Sequence, residues 1–530
     1  MLRVSNLKFP LGFADEDLAA ATAKILKLEQ PFRSFKIIRK ATDTRSRRAA
    51  WTIYTIDIEI DKEDDLLSSG VWGFIEKVSP SEKLPRIINT KPVERPIIVG
   101  SGPAGMFAGL VLAEAGLCPL ILERGKAVPE RQKDVEHFWR RRELNPESNV
   151  QFGEGGAGTF SDGKLMSGIK KDAVTAKVFE ELVAAGAPED ILYLAKPHLG
   201  TDKLYHIVQN IRAKIVSLGG EYRFEHRLDD IIVKDDKLRA IKVMTPSGMV
   251  EMPCSKLILA IGHSARDTFE MLYKRQLPLV QKAFSVGARI EHHQSTINQA
   301  LQHDFAGHPA LGAADYKLSV HLPNGRSAYT FCMCPGGVVV AAASECGRLV
   351  TNGMSYYARN KQNANSALLV GVSSADFGGD HPLQGMYFQR KLEETAFALG
   401  GKNYQAPAQK VGDLLKQRPS KALGAVTPSY SCGVVPSDLS RLFPEEITET
   451  LRLAIVEMDK KLHGFADEEA TLTGIETRSS SPVRMLRDNN NQSPIKGIYP
   501  SGEGAGYAGG IVSAAADGIK TALNLYAEVE

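Results

Sequence analysis

The sequence predicts an α/β protein: a Rossmann-like dinucleotide-binding domain, interrupted by an inserted mixed α+β substrate domain and preceded by a small N-terminal α+β module. Three observations carry this prediction. Gly100-Ser101-Gly102-Pro103-Ala104-Gly105 stands between an apolar strand and a helix. Glycine-rich strand–turn–helix grammar returns near the C-terminus after a long stretch of different character. A chain of 530 residues is also too long for one ordinary core. The expected units are residues 1–90, the module; 91–270, the first part of the dinucleotide domain; 271–470, the insertion; and 471–530, the remainder of the dinucleotide domain.

In the module, Leu2 to Leu7 reads as a strand and Asp15 to Leu28 as a helix, with Phe35 to Arg39 and Trp51 to Ile60 as further strands. This βαββ order suggests a small sandwich. Arg39 to Arg48 is a dense basic turn, readable as an anion or RNA contact or as a solvated hairpin connection. A proline-rich linker, Ser79 to Pro96, follows.

Ile97 to Val99 and Pro119 to Leu122 read as strands, and Pro103 to Ala115, Pro129 to Glu143, Ala173 to Ala185 and Tyr205 to Leu218 as helices. Glu221 to His226, Leu228 to Val233 and Leu238 to Val243 read as a β-meander, and Lys256 to Ile261 as an apolar strand. The insertion alternates strands (Ala283 to Ile290, Ser319 to Leu322, Val338 to Ala342) with helices near Leu383 to Leu399 and Glu446 to Lys461.

Bulk composition excludes several classes. Hydrophobic residues make up 43% and charged residues 24%, with a net charge of +3, a balance that marks neither a nucleic-acid nor a membrane protein. No signal peptide and no run long enough to span a bilayer is visible. Six cysteines without framework spacing fit a reducing compartment, and the expected location is cytoplasmic.

The glycine motif has a physical logic. Gly100 permits the tight turn, Gly102 lets backbone approach a pyrophosphate, and Gly105 lets helix and strand pack closely. The helix that opens at Pro103 and Ala104 offers free N–H groups and a positive dipole end to phosphates. Glu123 ends the second strand, where an acidic side chain accepts hydrogen bonds from ribose hydroxyls, and Arg124 follows it. FAD and NAD both carry ADP, so the motif alone does not separate them. Two later segments favour FAD. One is the strand ending at Gly262-His263-Ser264. The other is Gly497 to Gly510, including Gly502, Glu503 and Gly510, followed by a helix from Ile511. A loop from Phe152 to Leu165, with Gly155, Gly156, Gly158, Thr159, Ser161 and Asp162, adds close backbone approach to a ligand.

This grammar resembles the glutathione-reductase-like FAD superfamily, with Ile261 where an Ala-Thr-Gly segment has threonine. The resemblance implies that Glu503 lies against the ribityl–pyrophosphate region and that the following helix points at the flavin's pyrimidine end. It also implies that the Gly153–Leu165 loop lies along the isoalloxazine. Phe331 to Gly337, Glu476 to Arg484 and Gly502 to Gly510 extend the likeness to bacterial FAD-dependent dehydrogenases over nearly the whole length.

Catalytic residues are less legible. Cys332 and Cys334 would share a strand face, as packing residues, flavin neighbours or a redox pair; as a metal site they would need more ligands. Arg478 and Arg484 fit a substrate carboxylate or phosphate, or an internal ion pair with Glu476. His263 fits a proton donor or a capping residue. Tyr507 fits a cover for the ring, whereas His137 and Trp139 read as core or surface residues. No second GxGxxG follows a strand between residues 130 and 480, which argues against a resident NAD(P)H domain. The expectation is an FAD-dependent dehydrogenase of a small-molecule substrate, with oxygen, a quinone or a transient NAD(P)H completing the cycle. Two alternatives stay open: an NAD(P)H-dependent reductase of an unsaturated substrate, and a flavin-binding, RNA-associated protein using the basic turn.

Overall fold

The computed structural model describes residues 1–79, 84, 94–165 and 172–527. Most of the Ser79–Pro96 linker lies outside the described residues.

In the module, strands Leu2–Pro10, Ser34–Asp43, Trp51–Glu59 and Ile75–Lys77 form one antiparallel sheet in the order second, third, first, fourth. Their alternate residues Leu2, Val4, Tyr54, Ile56 and Ile58 bury against Leu18 of the helix Leu18–Ile25. The helix is shorter than its apolar pattern because Lys27 turns to φ 53° just beyond it. A second helix, Glu63–Ser68, and the fourth strand complete a βαββαβ unit that the sequence reading left at βαββ. The module is stitched to the rest of the chain: Lys40 N donates to Tyr193 O at 2.8 Å, Ala195 N to Lys40 O at 2.9 Å, and Thr44 Oγ1 to Leu301 O at 3.1 Å.

The central sheet is parallel throughout, in the order Ile498–Pro500, Leu257–Leu259, Ile97–Val99, Leu120–Leu122, Glu221–Arg223. Ile97–Val99, Leu120–Leu122 and Leu257–Leu259 are apolar runs because both faces of the sheet are covered there, whereas the edge strand Glu221–Arg223 is polar and half-buried. Ile98, Ile121, Ile258 and Tyr499 face the helices Pro103–Glu114, Gly200–Ser217 and Ile511–Ala527. Ile97, Val99, Leu120, Leu122, Leu257 and Leu259 face the antiparallel meander Arg227–Lys234, Lys237–Thr245, Gly248–Pro253. One expectation needs correction. Glu221–Arg223 is the fifth strand of the parallel sheet and not the first of the meander, because the helix Gly200–Ser217 carries the chain back across the sheet as a crossover.

The insertion is built on a mixed, mostly antiparallel sheet. Its order is Ser319–His321, Ser327–Ala341, Asn363–Val372, Phe284–His293, Thr471–Glu476, Ala406–Lys410, Val434–Pro436, with Thr351–Met354 beside the far end of the long second strand. The expected strand Val338–Ala342 is the end of this bent strand. Because Thr471–Glu476 pairs with Phe284–His293 inside this sheet, the sheet runs past the expected boundary at residue 470.

The chain thus crosses between the two halves twice, and a two-stranded ribbon of Leu279–Gln281 and Val483–Met485 lies beside both crossings. One carboxylate ties them together. Glu393, on the helix Gln384–Leu399, is wholly buried. It accepts both Arg266 Nη atoms at 2.7 Å, Arg478 Nε and Nη2 at 3.1 and 3.0 Å, and Thr477 Oγ1 at 2.6 Å. Burial pushes this carboxyl up, but Arg266 and Arg478 together outweigh it and hold it below the ordinary carboxylate range.

Removing one partner of a buried ion pair typically costs about 3–5 kcal/mol, because the remaining charges are left uncompensated. Glu393→Ala is therefore expected to lower the urea unfolding midpoint by an amount equal to about 3–5 kcal/mol. The folded carboxyl titrates below its unfolded value of about 4.3, so its contribution is complete above that pH and is lost as pH falls through the folded value. Acid titration of stability should accordingly be shallower in the variant than in the wild type. Equal acid slopes would mean that Glu393 does not hold the crossings.

Candidate functional site

The Gly100–Gly105 turn sits at the carboxyl end of the Ile97–Val99 strand, with the ends of Leu257–Leu259 and Ile498–Pro500 beside it. Its glycines serve different purposes. Gly100 has φ 101°, and a Cβ there would lie 2.2 Å from Ala260 O; a Cβ on Gly105 would lie 1.9 Å from Gly100 O. These two are required by packing. Gly102 is different: it has φ −71°, and a Cβ there would meet nothing closer than Gly156 Cα at 3.8 Å. Added Cβ atoms at Gly262, Gly509 and Gly510 would meet nothing within 4 Å. Small residues therefore line free space across three adjacent strand ends, as far as the N-terminus of the helix Ile511–Ala527.

Glu123 departs from expectation. It is 5% exposed and turned inward, accepting from Ser101 N at 2.9 Å, Ser101 Oγ at 2.8 Å, Gly125 N at 2.9 Å and Gly153 N at 2.9 Å. All of its acceptor capacity is spent within the chain, so it clamps the glycine turn to the Gly153 loop and leaves no lone pair for a ribose. Arg124 points elsewhere, forming a bidentate pair with Asp267 at 3.0 Å and lying 4.0 Å above the Phe152 ring.

The Gly-rich loop lies directly over the turn. Gly155 N donates to Ser101 O at 2.9 Å, and a Cβ on Gly156 would approach Gly102 Cα to 3.0 Å. Gly158 packs on Ile511 and Pro103. Thr159 and Ser161 are used internally, through bonds to Glu154 O at 3.1 Å and Gly158 O at 2.6 Å. Asp162 is buried in a bidentate pair with Arg359. Beneath the loop, buried Arg131 donates to Asn149 O, Val150 O and Glu154 O at 2.9, 2.9 and 2.6 Å. Arg131 was invisible to sequence reading because all three acceptors are backbone carbonyls.

At the C-terminal segment, Asp517 accepts Gly502 N at 2.7 Å and is gripped by Arg487 at 2.7 and 2.9 Å. Gly518 lets its helix close onto Ala104, where a Cβ would lie 2.0 Å from the carbonyl oxygen. Four polar residues gather here. His263 Nδ1 is 3.4 Å from Glu503 Oε1, and its buried Nε2 has no partner. Burial, then the positive charge of Arg484, hold the Lys282 ammonium below its usual range, with Glu503 opposing them. Arg484 lies 5.0 Å over the Tyr507 ring, its Nη2 3.3 Å from Gly506 O. His263, Glu503, Arg484 and Tyr507 stand out in the sequence; Lys282 does not, because its place depends on the ribbon beside the insertion.

Other candidates fall outside this cluster. Arg478 is consumed by Glu393 and by Ser344 Oγ at 2.5 Å, so it is not available to a substrate, and its ion-pair partner is Glu393. Glu476 pairs with Arg289 instead, at 2.8 and 3.0 Å. Cys332 and Cys334 sit in the insertion beside Arg289 and the Gly-rich loop.

Residues 283–479 match the family described as FAD-dependent protein, C-terminal domain-like. Over 99% of its length the chain is 47% identical to an uncharacterized protein of Clostridium beijerinckii, of which the match spans 98%. The chain belongs to one family with this Clostridium protein, and its residues 283–479 carry the C-terminal domain of the FAD-dependent family. Its cofactor is FAD. Solved structures are similar at a much lower level. The flavin-dependent brominase Bmp2 is 13% identical with a TM-score of 0.37, over 82% of this chain and 78% of that one. A geranylgeranyl bacteriochlorophyll reductase-like protein from Thermoplasma acidophilum is 10% identical with a TM-score of 0.34, also over 82% and 78%. Likeness this slight says nothing about the chemistry of this FAD-dependent protein. Its own residues fit the cofactor: the free faces of Gly102, Gly262, Gly509 and Gly510 form a backbone-lined cradle, and His263 leaves a buried polar atom without a partner beside it. Among the described residues no helix is long and apolar enough to cross a membrane.

Proposed function

We propose that this protein is a dehydrogenase that transfers a hydride between a small-molecule substrate and FAD held at the carboxyl ends of the three strands that end near Gly100, Gly262 and Gly502. The open glycine faces at those ends carry the reading. Open α/β sheets bind ligands outside the carboxyl ends of their strands. In this reading the turn at Gly102 and the helix start at Pro103, Ala104 and Gly105 receive the pyrophosphate, with the backbone of Gly155, Gly156 and Gly158 above it. Gly262, Gly502, Glu503, Gly510 and Ile511 follow the rest of the cofactor. Bound FAD supplies the hydride chemistry, and the chain supplies position and charge.

The polar cluster has a defined set of tasks. With Nδ1 turned to Glu503, His263 can take or give a proton at Nε2. Lys282 and Arg484 present positive charge, which suits an anionic substrate group or negative charge developing nearby. Glu123 acts at one remove, by fixing the two glycine segments against each other. The insertion is a mixed sheet without a second glycine-motif strand–helix unit, which supports direct oxidation of the substrate over a resident nicotinamide site. In the basic turn, Arg45 pairs with Asp43 at 2.6 and 2.9 Å, which supports the hairpin reading of that turn.

Two experiments test this. Gly102→Ala places a methyl group where the chain leaves 3.8 Å, so stability should change by no more than about 0.5 kcal/mol while FAD affinity falls tenfold or more, about 1.4 kcal/mol. Gly105→Ala, which meets backbone, should lose stability by about 1–3 kcal/mol. Undiminished FAD binding in Gly102→Ala would remove the cradle. In anaerobic stopped flow, NADH and NADPH should leave the holoprotein's flavin oxidised for minutes, whereas a low-molecular-weight cell filtrate freed of nicotinamides should bleach it. Bleaching within seconds by either nicotinamide would replace the dehydrogenase reading with a reductase.

A further inference from the structure

The strand Ser327–Ala341 is irregular where it carries its two cysteines. Phe331 is opposite Ala367 and Cys334 opposite Asn365, so three steps on one strand match two on the other. Cys332 takes up the excess with φ 43°. In a regular strand, residues two apart are separated by about 6.6–6.8 Å, at the edge of the disulfide range of about 4.4–6.8 Å between Cα atoms. A bulge bends the strand and breaks that regular spacing. Cys334 Sγ lies 3.2 Å from Cys332 O, so its side chain turns back toward the cysteine two residues before it.

The surroundings favour one thiolate. Buried Arg289 donates to Cys332 O at 2.9 Å, and Lys164 of the Gly-rich loop donates to Met333 O, between the two cysteines. Glu476 balances Arg289, and Asp162 lies on the Cys334 side. The neighbouring Cys334 side chain holds the Cys332 thiol down to about 6; Arg289 and Lys164 reinforce it against burial and Glu476. Cys334 is pushed up correspondingly. Access runs in the same order: Cys334 is fully buried, Cys332 is half-buried, and its neighbour Phe331 is 41% exposed. By contrast, burial pushes the thiols of Cys254 and Cys432 up to about 12. The exposed Cys118 and Cys346 stand apart from this pair.

We propose that Cys332 and Cys334 are a redox-active dithiol that cycles to an intrachain disulfide by exchange with a small disulfide, Cys332 attacking and Cys334 resolving. The Cys332 thiolate attacks one sulfur of the disulfide RSSR, forming a mixed disulfide and expelling RS⁻, which takes up a proton. Cys334 then loses its proton to solvent and attacks Cys332 Sγ, forming the intrachain S–S bond and expelling the second RS⁻. The protein is oxidised by two electrons and RSSR is reduced to two RSH, with the two protons shed by the cysteines balancing those taken up. This site does not depend on what the flavin oxidises.

The test uses the holoprotein and oxidised glutathione. After incubation, N-ethylmaleimide labelling and peptide mass mapping should show two fewer labelled thiols and a Cys332–Cys334 link within one peptide. Cys334→Ser should instead accumulate a stable glutathione adduct on Cys332, and Cys332→Ser should form neither product. In the untreated wild type at pH 7, iodoacetamide should label Cys332 about five- to tenfold faster than Cys118. Retention of both thiols after oxidation, or an adduct confined to Cys118 and Cys346, would overturn the proposal. The wild-type measurement needs no variant to fold.

Discussion

The polar cluster of the candidate site depends on how the insertion is seated, and the Glu393 carboxylate ties together the two crossings that seat it. Arg266 opens the helix that follows the Leu257–Leu259 strand, and Arg478 follows the last strand of the inserted sheet. Both converge on one carboxylate from a third element. Buried ion pairs return little net stability, because desolvation consumes most of the Coulombic gain. Their directionality is another matter. Two bidentate pairs on a single carboxylate fix the angle and the register of both crossings, which an apolar contact of the same area would not. The Leu279–Gln281 and Val483–Met485 ribbon lies between those crossings, and it delivers Lys282 and Arg484 to His263 and Glu503.

The same economy governs the glycines. Gly100, Gly105 and Gly518 are dictated by backbone that would collide with any side chain. Gly262 and Gly510 require positive φ, and Gly102 and Gly509 require neither clearance nor unusual backbone. A glycine with no internal reason to be glycine loses conformational entropy on folding without return from its own packing. In the proposed function, Gly102 is glycine because the cofactor approaches its backbone closely. That distinction separates the residues that build the cradle from those that face its contents.

The parts of the fold legible in the sequence were those with local causes. The apolar runs at Ile97 and Leu257, the glycine turn, and the helices at Ala173, Glu445 and Ile511 each announce themselves within a dozen residues. What the sequence concealed had remote causes. Glu221–Arg223 resembles any short edge of a meander until the crossover helix places it beside Leu120–Leu122. The partner of Arg478 lies on a helix far back along the chain, whereas Glu476, two residues away, forms its internal ion pair with Arg289. Glu123 illustrates a subtler limit: its position at a strand end was right, but four donors from two glycine segments redirected it inward.

One segment connects the two chemistries proposed for this chain. The Gly153–Leu165 loop touches the glycine turn through Gly155 and Gly156, the last helix through Gly158, and the bulged cysteine strand through Lys164. Its interior is tied together by the Ser161 hydroxyl, which bonds both Gly158 O and Gly163 N, while the Asp162–Arg359 pair anchors it to the insertion. Lys164, one of the two cations that favour the Cys332 thiolate, is thus held by the same loop that carries Gly156 and Gly158. The proposed cradle and the proposed thiol pair share this one loop, built from hydrogen bonds that no local sequence pattern records.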